Sequence, residues 1–215
     1  RLATAVGCPE PDDKLELFTD PTSETAVARR LESVGIAPDK PLVIISPGAS
    51  FGSSKLWLPE RFAAVGDRLI DSVDAAVVIT CGPGETDIAK RLQGAMDRRS
   101  HLFDEPLLTL GELKALIKRG DLLICNDIGP RHIAKAFGVS VVTVFGPTHM
   151  AWTDTEYPNE RKVRIDVDCG PCQLKTCPHA HHKCMTGVTV DMVYERCAEL
   201  LAERRLRTVT KPCPG

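Results

Sequence analysis

The sequence has no large excess of charge, no long apolar run, no internal repeat and no low-complexity tract. Its 27 Lys and Arg residues nearly balance 29 Asp and Glu residues, which gives a formal net charge of -2 and a pI of about 6.3. Bulk electrostatics therefore favour neither nucleic acid nor an anionic membrane surface, and we expect no nucleic-acid partner. No apolar run approaches the roughly 18 residues that a membrane span needs, and the first residues lack the secretory pattern. These absences predict a cytoplasmic protein without a transmembrane segment.

A chain of 215 residues with 43% hydrophobic content is long enough for one well-buried α/β core. Its nine cysteines are an odd number, and four of them lie close together in the sequence. This usage is more typical of reduced thiols or of a metal site than of the disulfide framework of a secreted protein. We therefore expect a reducing compartment.

Three regions of the chain differ in their sequence patterns. Residues 1–40 contain one predicted helix, from about Ser23 to Val34 with Gly35 at its end, and we interpret them as a linker. Residues 41–204 contain the main domain. Residues 205–215 are basic, and we interpret them as a solvated tail.

Within residues 41–204, short apolar strands alternate with helical patterns. Strands are predicted at Leu42–Ser46, at Ala75–Thr80, in the segment ending at Cys125, at Val139–Phe145 and near Val163–Val167. Helices are predicted after Pro59, around Ile88–Met96, around Leu110–Ile117, over Pro130–Phe137 and after Thr189. Thr109 and Glu112 are placed as a capping box for the third of these helices. The alternation predicts a Rossmann-like, doubly wound parallel sheet.

Polar residues and glycines follow four of these strands, at the sheet edge where open parallel sheets bind ligands. The first loop, Ser46–Lys55, has backbone and hydroxyl donors that can approach a phosphate, and Lys55 can neutralise its charge. The loop is not a P-loop, because the Gly-Lys-Ser/Thr ending is missing. The alternative is an ordinary flexible loop with a solvated lysine.

The second loop, Cys81–Glu85, places Glu85 at the start of a helix. A carboxylate at this position can accept hydrogen bonds from ribose hydroxyls, as in many nucleotide-binding folds. Acidic residues are also common in first turns for the helix dipole alone, so the position by itself favours that simpler explanation.

The third loop, Asn126–His132, opens a helix near Gly129 and Pro130. Unpaired N–H groups at a helix start favour an anion. Asp127 and His132 flank this spot, one as an acceptor for hydroxyls and the other as a donor to phosphate, although a core or capping role is the usual explanation for such a histidine. A fourth loop, Phe145–His149, is either part of the same edge or a simple turn. Together the loops predict a phosphate-and-sugar site.

Six motifs, in their order and spacing, resemble the ADP-heptose:lipopolysaccharide heptosyltransferases of glycosyltransferase family 9. The motifs are Pro47-Gly48-Ala49, Lys55-Leu56-Trp57, Pro59-Glu60-Arg61-Phe62, Gly82-Pro83-Gly84-Glu85, Asn126-Asp127-x-Gly129-x-x-His132 and Phe145-Gly146-Pro147-Thr148. The resemblance covers nearly the whole chain. It implies the GT-B architecture, in which two Rossmann-like domains enclose a cleft, and it identifies this chain as the C-terminal, nucleotide-sugar-binding half.

The resemblance also implies which residues contact the diphosphate of the donor. Ala49, Ser50 and Lys55 are expected to contact it from the first loop. Gly129 at the helix start and His132 are expected to hold the phosphates from the third loop.

Three further residues are implied around the sugars of the donor. Glu85 is expected to bind the ribose, and Asp127 is expected to bind sugar hydroxyls. The family usually has Ser or Thr at the position of Ile128, so this chain lacks one hydroxyl donor there.

By the same resemblance, the reaction transfers heptose from ADP-heptose to a lipopolysaccharide core or a related glycan, with inversion and without a required metal or cofactor. The expected location is the cytoplasm, including the inner face of the inner membrane. The expected base lies in an N-terminal domain that this sequence lacks, so we expect donor binding without turnover. The alternatives are a nucleotide-sugar-binding module without transferase activity and another GT-B relative that uses a UDP-sugar.

The last pattern is a Cys-rich loop, residues 168–187, whose thiols are Cys169, Cys172, Cys177 and Cys184. Their spacing, with three histidines between them, could close a tetrahedral structural zinc site. Equally open is a structural role without metal, and reactive or redox thiols are a third alternative. The resemblance does not make this loop part of the transfer chemistry.

Overall fold

The computed structural model describes residues 2–9, 14–153 and 156–209. Its centre is one sheet of six parallel strands. The strands are Leu42–Ser46 (β1), Ala76–Thr80 (β2), His101–Phe103 (β3), Leu122–Asn126 (β4), Ser140–Val144 (β5) and Glu160–Val163 (β6). Their order in the sheet is β3-β2-β1-β4-β5-β6. This order is that of a doubly wound, Rossmann-like domain and confirms the expected fold class.

Two strands differ from the sequence-based prediction. β3 was not predicted, because it has three residues and pairs only with β2 at the edge of the sheet. β6 begins at Glu160 and ends at Val163, where the expected strand was to begin. The sequence of β6, Glu-Arg-Lys-Val, has three charged residues in a row. β3 is too short to show a pattern, and β6 lacks the apolar residues that predict a strand.

Eight helices surround the sheet in the described part of the chain. They are Leu2–Ala5 (α1), Pro21–Ser33 (α2), Pro59–Val73 (α3), Thr86–Gly94 (α4), Leu110–Arg119 (α5), Gly129–Ala136 (α6), Lys183–Thr186 (α7) and Val190–Val209 (α8). The capping box of α5 is confirmed, with Thr109 Oγ1 accepting from the backbone N–H of Glu112 at 3.2 Å. At α8, the Thr189 hydroxyl accepts from the N–H of Met192, also at 3.2 Å.

The domain boundaries stay predictions, but one helix packs across the first proposed limit and another runs through the second. α2, from the proposed linker, packs against α5 and contributes Val27 and Leu31 to the core. α8 continues through residues 205–209 of the proposed tail, and residues 210–215 lie outside the described residues.

The sheet separates two layers of apolar packing, because successive side chains of a strand point to opposite faces. In β4, Leu122 and Ile124 pack on the face covered by α3 and α8, whereas Leu123 and Cys125 pack on the face covered by α2, α5 and α6. All four residues have 0% exposure. The strand is therefore buried on both faces, as its unbroken apolar run predicts.

The sheet order places β1 between β2 and β4, so the chain direction of the crossovers reverses between β1 and β4. Ligands of open parallel sheets bind outside the carboxyl ends of the strands at such a point. Among the described residues, no helix is both long enough and apolar enough to cross a lipid bilayer.

Candidate functional site

The loops after β1 and β4 are joined by the buried carboxamide of Asn126. Its Nδ2 donates to the carbonyl oxygens of Pro47 at 2.7 Å and Gly48 at 3.1 Å, and its Oδ1 accepts from the N–H of Trp57 at 3.2 Å. These three bonds satisfy both ends of an amide that has no exposure to solvent. Asn126 thus fixes the start and the end of the first loop, a role that the sequence did not indicate.

The loop after β2 contacts the first loop through Glu85. One oxygen of this carboxylate, Oε2, accepts from the N–H of Gly82 at 2.9 Å and closes the turn before α4. A Cβ atom on Gly48 would lie 2.0 Å from the same oxygen, so only glycine lets the two loops approach this closely. Glu85 therefore lies at the same edge as the first loop, as predicted.

Lys55 crosses from the first loop to the third and pairs with Asp127. Its ammonium group donates to Asp127 Oδ2 at 2.6 Å and to the Asp127 carbonyl oxygen at 3.1 Å, and it lies 4.9 Å from the centre of the Phe51 ring. An ammonium group has three N–H donors. Two of them are used on Asp127, so one donor remains for a ligand.

The Asp127 carboxylate is nearly buried, with 5% exposure, and it joins the fourth loop to the site. Its Oδ2 also accepts from the Thr148 hydroxyl at 3.0 Å, and its Oδ1 lies 3.5 Å from Arg131 Nη1. Four strand-end loops are thus connected by direct contacts, which confirms that they converge. The expected contact between Asp127 and sugar hydroxyls stays a prediction, but the position of this carboxylate makes it a positioning group for Lys55.

The first turn of α6 offers the backbone N–H of Gly129 at this edge, whereas Pro130 has no N–H and the Arg131 N–H bonds to the Ile128 carbonyl at 3.2 Å. The residue before the helix, Ile128, forms no side-chain cap, and the first helical residue, Gly129, is exposed. A Cβ atom on Gly129 would meet nothing within 4 Å. The helix start is therefore open to an anion, and the helix dipole favours one there.

His132, in the same first turn, is half-buried. Burial lowers the pKa of its imidazole, and the positive charges of Arg131 and Lys135 lower it further, against the smaller opposing effects of Asp127 and Glu160. The side chain is therefore neutral at neutral pH, where it can donate one N–H to a phosphate oxygen.

Ala49 and Ser50 lie in the first loop between β1 and the 3₁₀ turn at residues 53–55. Ala49 is half-buried and Ser50 is exposed, and the Gly52 N–H bonds to the Ala49 carbonyl at 3.2 Å. Their expected contact with the diphosphate stays a prediction.

A buried ionic cluster, formed by Arg131, Lys135, Thr143 and Glu160, lies behind the open edge. Arg131 has 0% exposure and makes a two-point contact with the Glu160 carboxylate, Nε to Oε1 at 2.5 Å and Nη2 to Oε2 at 3.0 Å. Lys135 Nζ reaches Oε2 at 2.8 Å, and the Thr143 hydroxyl donates to Oε1 at 2.7 Å. Burial would raise the pKa of Glu160, but the hydrogen bonds from Arg131, Lys135 and Thr143 outweigh it and hold the pKa below its usual value.

The buried ionic cluster continues through Asp127 to Lys55. Along this chain of contacts three cations face two carboxylates, so one positive charge is in excess beside the start of α6. Sequence reasoning missed Arg131, Lys135 and Glu160, because charged residues are most often solvated. The sequence signal for this cluster was the spacing of Asp127, Arg131 and Lys135. They recur every four residues, an interval that places side chains on one face of a helix.

All four thiols of the Cys-rich loop line one small cavity of about 20 Å³, together with Ser54 and Pro147. Each of these thiols is half-buried and free of a disulfide, and Cys169 Sγ lies 3.9 Å from His181 Nε2. Burial, and then the neighbouring thiols of Cys172, Cys169 and Cys177, raise the pKa of Cys184. As they stand, no three of the described His, Cys, Asp or Glu side chains are arranged to hold a metal ion, and the zinc site stays a prediction.

The family model for glycosyltransferase family 9 (heptosyltransferase) matches residues 2–183. A curated relative, lipooligosaccharide heptosyltransferase 2 of Campylobacter jejuni subsp. jejuni serotype O:2, is 32% identical over 171 residues, which cover 78% of this chain and 53% of the relative. The chain spans about half the length of the curated relatives it matches.

Two solved structures resemble the fold. The glycosyl transferase family 9 protein from Veillonella parvula DSM 2008 matches with a TM-score of 0.79 and 21% identity, over 94% of this chain and 58% of that one. The E. coli ADP-heptose lps heptosyltransferase II matches with a TM-score of 0.72 and 20% identity, over 88% of this chain and 54% of that one. Both confirm a Rossmann-like domain of the GT-B kind.

Proposed function

Because the chain belongs to glycosyltransferase family 9, we propose that this domain binds the nucleotide-sugar donor of an inverting heptosyltransferase. The proposed donor is ADP-heptose, and the proposed acceptor is a lipopolysaccharide core or a related glycan. Two of the relatives described above are named as heptosyltransferases, one of them as an ADP-heptose enzyme. The proposed place of action is the cytoplasmic face of the inner membrane, where such an acceptor is anchored.

The observation that carries this proposal is the position of Lys55, Glu85 and the start of α6 at one edge of the sheet. Direct contacts connect the loops that bear them: Asn126 to Gly48, Gly48 to Glu85, and Asp127 to Lys55. A cation, a carboxylate and the open start of a helix are the groups that a nucleoside diphosphate requires, and they lie at the point where Rossmann-like sheets bind nucleotides.

The diphosphate is proposed to lie between Lys55 and the first turn of α6. Lys55 Nζ bonds to the carbonyl of Asp127, two residues before Gly129, so its third N–H lies near the start of α6, and His132 adds a neutral donor from the same turn. The excess positive charge of the ionic chain behind them favours an anion.

Glu85 is proposed to bind the ribose. Its Oε2 is used by the N–H of Gly82, which leaves Oε1 as an acceptor for a ribose hydroxyl. The close approach of Gly48 to this carboxylate supports a ribose position beside the first loop.

In the transfer step, the acceptor oxygen forms a bond to the anomeric carbon while the bond from that carbon to the ADP oxygen breaks. The acceptor hydroxyl loses its proton to a base, which we do not assign to a residue of this chain. ADP leaves with increased negative charge on its terminal phosphate. Lys55, His132 and the Gly129 N–H are proposed to stabilise that charge, because preorganised donors act on the charge that develops in the transition state.

Calorimetric titration of the chain with ADP, UDP and ADP-heptose tests this proposal. We expect ADP and ADP-heptose to bind more tightly than UDP. Equal binding of ADP and UDP would contradict the proposed adenine nucleotide, and tighter UDP binding would favour a GT-B relative that uses a UDP-sugar. Failure of all three ligands to bind the folded chain would contradict donor binding by this domain.

A further inference from the structure

The Cys-rich loop belongs to a long segment with little apolar packing, in which Ile165 and Cys184 are only partly buried against the core. Residues 164–182 form no helix or strand, and none of residues 164–184 is buried. Loops longer than about 12–15 residues without regular structure are uncommon in compact domains unless they are functional or disordered. A segment that buries no side chain needs another source of order, and a cross-link is the usual one in small structures.

The four cysteines are the residues placed to supply that cross-link. The same cavity is lined by Cys169, Cys172, Cys177 and Cys184. Its volume of about 20 Å³ is enough for one ion or one water molecule. Of the other described cysteines, Cys8 is exposed, Cys125 and Cys197 are buried, and Cys81 is half-buried but does not line this cavity. Four half-buried thiols around a small space are the ligand set of tetrahedral thiolate sites.

The Cys-rich loop is also bonded to the loop that carries Lys55. The backbone N–H of Ser54 donates to the Lys175 carbonyl at 3.0 Å, and the Ser54 hydroxyl donates to the Leu174 carbonyl at 2.5 Å. His182 Nε2 donates to the Ser54 carbonyl at 2.6 Å. Every polar group of Ser54, the residue before Lys55, is therefore held by the Cys-rich loop.

Two further contacts show how close the two loops are. A Cβ atom on Gly52, whose φ is +153°, would lie 2.4 Å from the Lys175 carbonyl oxygen. The N–H of Gln173 donates to the Pro147 carbonyl at 3.0 Å, next to the Thr148 that bonds Asp127. The Cys-rich loop thus contacts the segments on both sides of the Lys55–Asp127 pair.

We propose that the four cysteines bind one thiophilic divalent metal ion, and that this ion fixes the Cys-rich loop and thereby the position of Lys55. The thiols lose their protons to solvent as four metal–sulfur bonds form, and no electron is transferred. They are not yet arranged around a common point, so binding includes rotation of their side chains between staggered positions. The effect of the ion on nucleotide binding rests on the function proposed above, whereas the metal site itself does not.

The test uses the full chain, its Cys177→Ser variant and, as a matched control, Cys8→Ser at an exposed thiol. We expect about one zinc ion per wild-type chain by elemental analysis after growth with zinc, and tetrahedral thiolate absorption bands when Co²⁺ replaces it. Cys177→Ser should lose the ion, increase hydrogen exchange at the Ser54 amide, and weaken ADP binding about tenfold, which is an ordinary coupling between two sites. Cys8→Ser should behave as wild type.

Removal of the ion from wild-type chain with a chelator, followed by its return, repeats the test without a mutation. A different thiophilic ion bound at one per chain would still support the site. Absence of any such ion, or a disulfide within the loop of the freshly reduced chain, would overturn it. Unchanged Ser54 exchange after metal loss would overturn the coupling. If metal and exchange respond as expected but ADP never binds, the proposed function fails and the metal site stands.

Discussion

The charged residues around α6 form two sets that differ in exposure and in partners. The buried ionic cluster has side-chain exposures of 0% at Arg131 and 1% at Lys135 and Glu160, and both cations bond to the Glu160 carboxylate. Lys55 and His132, in contrast, lie at the open edge, and Lys55 keeps one donor that no described residue uses. The difference indicates that the inner set stabilises the position of α6, whereas the outer set is available to a ligand.

The largest expected effect is on the free energy of unfolding when the inner set is broken. Glu160→Gln removes the carboxylate that Arg131 and Lys135 share and leaves these two buried cations without their common counter-charge. We expect a loss of about 3–5 kcal/mol in urea-induced unfolding. The matched control is Asp71→Asn, which breaks the exposed pair with Arg98 and should change stability by no more than about 1 kcal/mol.

The pH dependence of the same variant sharpens this comparison. Because the folded pKa of Glu160 lies below its unfolded value, its stabilisation is present above about pH 4.3 and is lost as the pH falls through the folded pKa. Wild type should therefore lose more stability than Glu160→Gln between pH 5 and the acid transition. Parallel curves for the two proteins would show that folding does not shift the pKa of Glu160, and would contradict the ionic cluster as described.

The outer set should affect ligand binding more than stability. Lys55→Met keeps the volume of the side chain but removes its charge, and we expect ADP affinity to fall by roughly 1–3 kcal/mol in calorimetric titration. Lys118→Met, at an exposed lysine paired with Glu24 on α2, is the control and should bind ADP as wild type does. Equal affinity of the two variants would remove Lys55 from the site.

A smaller effect is expected from a methyl group at Gly48. Gly48→Ala must displace the Glu85 carboxylate, so it should weaken adenosine and ADP by about 1 kcal/mol each. Adding Glu85→Ala to this variant should cause little further loss, because both changes remove the same contact. Gly94→Ala, where a Cβ meets nothing within 4 Å, is the control. Fully additive losses would place Glu85 away from the ribose.

The smallest expected effect is the pH dependence given by His132. Its lowered pKa means that the imidazole becomes charged only as the pH falls below about 6.5, and a bound diphosphate favours the charged form. ADP affinity should therefore rise by less than about tenfold between pH 7.5 and 5.5, relative to His132→Gln. The variant corrects for titration of ADP itself. Superimposable pH profiles would exclude a contact between His132 and phosphate.

Much of the fold was predictable from local patterns, because apolar runs and helix caps act over a few residues. β4 is an unbroken apolar run, and the α5 capping box depends on residues three apart, so both were predicted correctly. β6 was misplaced because its Glu160 is buried by partners far away in the sequence. No local pattern contains that information.

The site was predictable in its location but not in its internal contacts. The rule that parallel strands place their carboxyl ends at one edge was enough to bring Lys55, Glu85 and Asp127 together. The roles of Asn126, as the amide that fixes the first loop, and of Arg131, as a buried cation, depend on distances between segments about 30 to 80 residues apart. The sequence shows Asn126 as part of a motif. It does not show which groups its amide bonds to, because those partners lie in other segments of the chain.

The most direct test of the account is a crystal structure of the chain with ADP. The account predicts the diphosphate within hydrogen-bonding distance of Lys55 Nζ and of the Gly129 N–H at the start of α6, with a ribose hydroxyl on Glu85. The described residues offer a competing location, a cavity of about 680 Å³ between α2 and α5 lined by Val27, Leu31 and Ala115. ADP bound in that cavity, with the edge between β1 and β4 unchanged, would contradict the account.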